Sequence, residues 1–398
     1  MTTERASTGP LHHDPTRRSV LQFALGAPLA AGLAAAVPVL SALPANAQAR
    51  PAVPRIERVS IGRGTLRTVG RAAHLREVAG ADSAARRSTA VGILATKQIR
   101  TDSFSGAALT WSGDAPSEAT LLLRTRSRGG GWSAWRALHD DEHGPDPDFP
   151  EALRARRGTD FVITGDSDAV ELRIETPDGE IPHDLGIELV DAGHSPGDAA
   201  VAAPYNGDMS AAASRPTIRS RANWGADESI RGSATYGQVR GAFVHHTAGS
   251  NGYSQSDVPG IIRSIYAYHV NGRGWKDIGY NFLVDRFGRI WEGRHGGVTR
   301  AVIGAHTSGY NSYAFGTSLL GSYGSTNPSD AALTAIARVI AWKFTVHGVD
   351  PTRVSYPSSL TPQPAIAGHR DAGATACPGD RLYSRLSIIR GRVANAMG

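Results

Sequence analysis

Gly241-Ala242-Phe243-Val244-His245-His246-Thr247-Ala248-Gly249 is the stretch from which the fold can be read. Residues 241–245 form an apolar run that ends on histidine and gives way to small residues, the pattern of a buried strand. Outward from it the periodicity changes. Within 257–270, Ile261, Ile262, Ile265 and Tyr266 fall at helical spacing. Residues 280–285 and 289–292 read as strands across a turn holding Gly288, and 317–320 as another strand. Ser329 is placed to cap a helix whose inner face is Leu333, Ile336, Val339, Ile340 and Phe344, with Gly348 ending it. Strands alternating with helices predict an α/β domain over 217–398, built on a single central sheet.

Three side chains in this region suit a metal. His245 ends its strand, where the backbone is held and the side chain can enter a cleft. His369 lies in Gly368-His369-Arg370-Asp371, and Cys377 follows in a loop of small residues that can curl back. Two imidazoles and a thiolate suit Zn2+, and three protein ligands leave a fourth tetrahedral position for water. Zinc lowers the pKa of that water from 15.7 to about 7 and polarises an amide carbonyl. Neighbours on a strand face opposite sides, so His246 is assigned to packing or to hydrogen bonding behind the ligands. Cys377 is the one cysteine of the chain, which excludes an internal disulfide. It leaves metal ligand, nucleophile or inert core residue as alternatives.

Five blocks in order carry a resemblance. They are Arg221-Ala222-Asn223-Trp224-Gly225, Val244-His245-His246-Thr247-Ala248-Gly249, the run from Gly274 to Phe282, the run from Gly304 to Asn311, and Gly368-His369-Arg370-Asp371 leading to Cys377-Pro378. Together residues 219–392 resemble the type-2 N-acetylmuramoyl-L-alanine amidase and peptidoglycan recognition protein family. The resemblance implies that domain's single mixed sheet flanked by helices, a peptidoglycan (muropeptide) substrate, and zinc held by His245, His369 and Cys377. Cys377 places the chain with the catalytic branch, since binding members commonly lose it. Tyr280 is implied as a catalytic partner that donates to the oxyanion. Thr375 stands where phage amidases carry lysine, which leaves the general acid open. His306, Asn281 and His269 are implied to line the peptide groove. Trp275 with Arg294 is similar to the pair associated with diaminopimelate stems, an arginine fork receiving the extra carboxylate. The rivals are a recognition protein that binds without cutting and a zinc endopeptidase acting within the stem.

The chain's 398 residues, 40% hydrophobic and 20% charged, are enough for two soluble domains and a leader. Residues 1–47 read as a twin-arginine signal peptide: Arg17-Arg18 precede an Ala-rich apolar stretch and Ala45-Asn46-Ala47 offers the cleavage site. A secreted, cell-wall-associated monomer without a membrane span in its mature form is expected. Residues 48–100 read as an N-terminal extension, with a strand over 58–63 and an Arg/Ala-rich extended arm over 71–87. Short strands at 103–111, 119–126, 159–164, 169–175 and 185–190 predict a β-rich accessory domain over 101–192, of sandwich type. There Trp132 and Trp135 are either a sugar-stacking platform or packing residues. Residues 193–216, dense in Ala, Gly, Ser and Pro, read as a linker. Charge divides the same way. Residues 215–398 carry 20 Lys and Arg against 10 Asp and Glu, whereas 48–214 carry 19 against 24. The basic half fits an anionic wall polymer or ordinary solubility. No nucleic-acid motif is present in the sequence.

Overall fold

The computed structural model describes residues 52–75, 88–114, 119–177, 179–195, 197–201, 214–353 and 356–398. The leader, its cleavage site and most of the expected linker lie outside the described residues. The front module contains β1 (Arg55–Ser60), β2 (Leu66–Leu75), β3 (Ser88–Thr96), β4 (Ile99–Ser112), β5 (Thr120–Ser127), β6 (Arg136–Leu138), β7 (Arg157–Gly158), β8 (Val162–Thr176) and β9 (His183–Asp191). All pairings are antiparallel, and the sheet branches at the long strands β4 and β8. Alternation buries Leu109, Trp111, Leu121, Leu123, Leu172 and Ile187 in one core.

Two readings change here. β1, β2 and β3 lie within the residues expected to be an extension, yet β1 pairs with β9, β3 with β8 and β2 with β3 in this same sheet. The expected strands 159–164 and 169–175 run together as β8, which passes through Gly165 at φ 69° without leaving the sheet. Trp132 and Trp135 hold the Arg124 guanidinium between them, at 4.9 and 4.7 Å from their ring centroids. That contact is packing by cation–π attraction.

The second module follows a short α1 (Gly197–Ala200). Its strands are β10 (Ile218–Arg219), β11 (Gly241–His246), β12 (Phe282–Val284), β13 (Ile290–Glu292), β14 (Ala314–Leu319) and β15 (Ile366–Gly368). Among the described residues they form a mixed sheet in the order β10-β13-β12-β14-β11-β15. The helices are α2 (Val258–Ala267), α3 (Asp330–His347), α4 (Asp380–Tyr383) and α5 (Leu386–Met397). Ser329 caps α3 by accepting from the Ala332 N–H, and Gly348 ends it in the left-handed region at φ 64°. Leu333, Ile336, Val339, Ile340 and Phe344 pack with α5 on one sheet face, against Val244, Phe282 and Phe315. The α/β module preceded by a β-rich module thus stands as read.

On the other face, α2 is covered twice. Its Ile261, Ile262, Ile265 and Tyr266 pack on Leu283 and Trp291 of the sheet, and also join Ala108, Phe161 and Val190 of the front module in one cluster. Tyr268, just past α2, donates its hydroxyl to Thr159 O at 2.8 Å. Arg263 of α2 fastens the start of the expected linker, through Asp198 at 2.6 Å and Ala192 O at 3.0 Å. The two modules therefore share a core.

Burial holds the phenols of Tyr253, Tyr268, Tyr323 and Tyr356 above their ordinary range. The folded chain keeps these protons, whereas the unfolded chain releases them above about pH 10. Stability should therefore fall as pH rises through about 10, by up to about 1.4 kcal/mol per pH unit for each tyrosine. Urea unfolding from about pH 9 to about pH 11 checks this; a flat profile would contradict it.

Candidate metal centre

Parallel pairing aligns Val244 of β11 with Gly368 of β15. His245 and His369, the next residues along each segment, therefore emerge side by side at the carboxyl ends of neighbouring strands, the usual place for a site in an α/β sheet. After His369 the chain turns at once: the Asp371 carboxylate accepts from the Gly368 N–H at 2.8 Å. It then curls back until the Arg370 N–H meets Cys377 O at 3.0 Å. That closure sets Cys377 Sγ 3.7 Å from His245 Nδ1. The sulfur also accepts from the His246 N–H at 3.4 Å. The His246 ring is engaged elsewhere; its Nδ1 accepts from the Tyr323 N–H at 3.2 Å.

A fourth donor comes from the front module. His143 Nε2 lies 3.0 Å from His245 Nδ1 and 3.9 Å from Cys377 Sγ. One donor atom from each of His143, His245, His369 and Cys377 falls within 4.8 Å of the others, and all four residues are buried.

The set fits zinc. Bonds of about 2.05 Å to nitrogen and 2.3 Å to sulfur at tetrahedral angles give edges of about 3.3 Å (N–N) and about 3.6 Å (N–S), against 3.0 Å for His143–His245 and 3.7 and 3.9 Å for Cys377 to His245 and to His143. Among the described residues, His369 Nδ1 is buried without a hydrogen-bond partner. Burial, then the neighbouring imidazoles, push His245 and His369 well below the ordinary histidine range. Both are thus neutral, the form that binds metal. Burial pushes the Cys377 thiol well up. A thiolate in such surroundings needs a cation beside it.

A family model described as N-acetylmuramoyl-L-alanine amidase matches residues 235–380. Peptidoglycan-recognition protein SC2 of Drosophila simulans is 30% identical over 170 residues, which are 43% of this chain and 84% of the fly protein. The chain belongs to the family of peptidoglycan-recognition proteins and N-acetylmuramoyl-L-alanine amidases. The human protein named N-acetylmuramoyl-L-alanine amidase is 35% identical over 177 residues, 43% of this chain and 28% of the human one. The solved structure of Drosophila PGRP-LB aligns at 30% identity over 43% of this chain and 92% of its own, with a TM-score of 0.37. Over the front module, residues 68–206 match a family described as Rv3811 N-terminal galactose-binding domain-like.

The other residues singled out in this amidase-family module sit around the centre or beneath it. The Tyr280 ring lies 5.3 Å from His143 and 5.7 Å from His245, centroid to centroid. Burial pushes its phenol well above the ordinary value, so it stays a donor. Thr375 accepts the Cys377 N–H at 3.2 Å and so steadies the loop that carries the sulfur.

Four groove residues are placed differently from expectation. His306 is fully buried behind His245, its Nδ1 3.1 Å from His245 Nε2, and burial pushes it down to about 3. It can approach so closely because Gly316 has no side chain; a Cβ there would stand 2.5 Å from the His306 ring. Asn281 spends its amide on backbone, donating to Val302 O at 2.8 Å and accepting from the Gly316 N–H at 2.9 Å. That makes it scaffold. His269 accepts from the Gly279 N–H at 3.1 Å and packs on Trp275, itself 2% exposed. Arg294 meets a carboxylate, but one of this chain: Glu151, at 2.7 Å.

Glu151 belongs to the segment that sequence reasoning missed. Residues 139–156 of the front module run across the amidase module and bury Asp141, His143, Asp146 and Glu151. Arg273 binds Asp141 at 2.7 Å. Asp146 accepts from Gly309 N–H, Asn311 Nδ2 and Ser312 Oγ at 2.8, 2.7 and 2.9 Å. The signal was present as composition: Asp140-Asp141-Glu142-His143-Gly144-Pro145-Asp146 is acidic, followed by more proline and acid, and it faces a basic module.

Proposed function

We propose that this chain is a zinc-dependent N-acetylmuramoyl-L-alanine amidase. Its reaction would be hydrolysis of the amide between N-acetylmuramic acid and the L-Ala of the peptidoglycan stem peptide. The observation that carries the reading is the convergence of the His245 donor atom with those of His369 and Cys377, more than a hundred residues further along the chain, within 4.8 Å. The matched family description and the human relative's name support the amide as the bond attacked. Zinc held by these residues would supply Lewis acidity to water and to the amide carbonyl.

The protein's own groups supply the rest. His306 fixes the orientation of His245 from behind, so that Nδ1 and not Nε2 faces the centre, as partners of metal-binding imidazoles do. Tyr280 remains protonated and donates to the oxyanion as it forms, a contribution of about 3–4 kcal/mol for such donors. Thr375 has no charge to give the leaving amine and acts on the position of Cys377. On its twin-arginine leader, the chain is placed outside the cytoplasm; recovery of the mature form in the wall fraction checks this.

Zinc content and mass analysis of a wall digest test the reading, with the wild-type chain and a His143→Ala chain run side by side. One zinc per chain, and released peptides beginning with L-Ala, are expected. Cuts between amino acids would reject the amidase for an endopeptidase. Bound wall with no products from either chain would leave recognition without cleavage.

A further inference from the structure

We propose that His143 is a fourth protein ligand of the metal centre, and that the 139–156 segment bearing it keeps the full-length chain latent. The proposal rests on the zinc reading above and concerns only what fills the corner that reading leaves for solvent and substrate.

The segment reaches the centre in a defined pose. The Asp141 carboxylate is hydrogen-bonded to His143 Nδ1. A carboxylate only accepts, so Nδ1 donates and the lone pair lies on Nε2. Nε2 is the atom that faces His245 Nδ1 and Cys377 Sγ, at 3.0 and 3.9 Å. A carboxylate behind an imidazole that faces a metal is the usual support for a ligand histidine.

The pose is also fastened. Arg273 grips Asp141 at 2.7 Å and His143 O at 3.0 Å. Beyond His143, the Asn311 amide donates to Gly144 O at 2.9 Å, and Asp146 is held by Gly309, Asn311 and Ser312. Glu151 takes the Lys276 N–H at 2.9 Å and the Arg294 guanidinium at 2.7 Å. A Cβ on Gly274 would stand 2.6 Å from Arg154 O, so the segment lies flat on the module there. Asp141, Asp146 and Glu151 are 7%, 6% and 5% exposed, so each exchanged water for groups of the amidase module. Surface loops rarely bury three carboxylates and an imidazole on one face; this one does so over residues expected to meet substrate.

The chemical consequence follows from ligand number. Three protein ligands and an open position make a catalytic zinc site, whereas four close it into a structural one. With His143 seated, neither water nor an amide carbonyl has a position on the metal. Hydrolysis then requires the segment to withdraw, and the rate carries the small fraction of chains in which it has.

The test uses full-length chains loaded with cobalt(II) as a spectroscopic stand-in for zinc, with azide as external ligand. Wild type and His143→Ala should each bind one cobalt and show a thiolate-to-metal band. Azide should leave the wild-type spectrum unchanged and shift that of His143→Ala. The variant should release wall peptides about tenfold faster or more. A wild-type spectrum that shifts with azide as the variant's does would overturn the proposal while leaving the metal site standing. So would a variant blind to azide. Chains that bind no cobalt at all would sink the zinc reading itself. Should His143→Ala fail to fold, X-ray absorption on wild-type zinc protein decides alone. Three imidazoles and one sulfur support the proposal; two imidazoles, one sulfur and one oxygen overturn it.

Discussion

Cys377→Ala is expected to remove zinc and to lower wall hydrolysis by more than about a hundredfold. Loss of a group behind a ligand already costs 10–100-fold in metal affinity or activity, and Cys377 is proposed as a ligand. It is also the one anionic donor of the three. Without it, two neutral imidazoles would hold a dication in a buried site, and the remaining charge would be uncompensated. The fold should survive. The sulfur's hydrogen-bond contacts are the His246 N–H at 3.4 Å and weak approaches to His246 O and to imidazoles, and a single neutral hydrogen bond contributes about 1 kcal/mol. Metal analysis, circular dichroism and peptide release, all in the His143→Ala background so that the segment does not mask activity, make the measurement. A folded Cys377→Ala chain that keeps zinc and turnover would remove the cysteine from the centre.

How far the sequence reaches depends on the distance over which its patterns act. Helix α3 was legible to both ends because its cap, its apolar stripe and its terminal glycine all lie within twenty residues, a local code. The strand β11 was legible for the same reason. His245, His369 and Cys377 could be grouped because their chemistry is unusual and their motif blocks fall in order. What failed were properties of partners. Within 48–100 only 58–63 reads as a strand; β2 and β3 become strands by pairing with each other and, through β3, with β8. The gap between the expected strands 159–164 and 169–175 is bridged because β4 pairs with β8 on both sides of Gly165, at Ile163 and at Ser167. His143 lies 102 residues from His245 and 234 from Cys377, and its acidic surroundings mark the segment without marking the histidine as a ligand. Asn281 and Arg294 were assigned to substrate on their motif positions, but their polar groups are taken up by Val302, Gly316 and Glu151. Polar atoms in a motif show only that something must bind them.

Arg273→Met should release the 139–156 segment while leaving both cores folded. The guanidinium is buried and serves four acceptors on that segment: Asp141 Oδ2 at 2.7 Å, Arg156 O at 2.7 Å, His143 O at 3.0 Å and Asp141 O at 3.4 Å. Burial tends to raise the Asp141 carboxyl, but the His143 ring that donates to it and the Arg273 guanidinium hold it below the usual carboxylate range. Methionine can keep the contact with the Trp275 ring, over which the guanidinium now sits at 4.7 Å, but it offers no donor. A buried carboxylate that loses its partner costs about 3–5 kcal/mol. The chain need not bear that cost throughout. The hydrophobic cluster shared by α2 and the front sheet is held by apolar contacts, and Arg273 meets it at Tyr268, so the cheaper response is local opening that returns Asp141 to water. A cost of about 3 kcal/mol is more than a hundredfold in the open population. Protease cleavage within 139–156 should therefore accelerate by about that factor, with a much smaller change in the melting of the two cores. Arg273→Lys should fall between, since an ammonium keeps the charge but cannot span carboxylate and carbonyls as the fork does. Cleavage of Arg273→Met at the wild-type rate would mean that Asp146 and Glu151 hold the segment down without it. The latch would then lie at Asn311 and Arg294, the partners of Asp146 and Glu151, and not at Arg273.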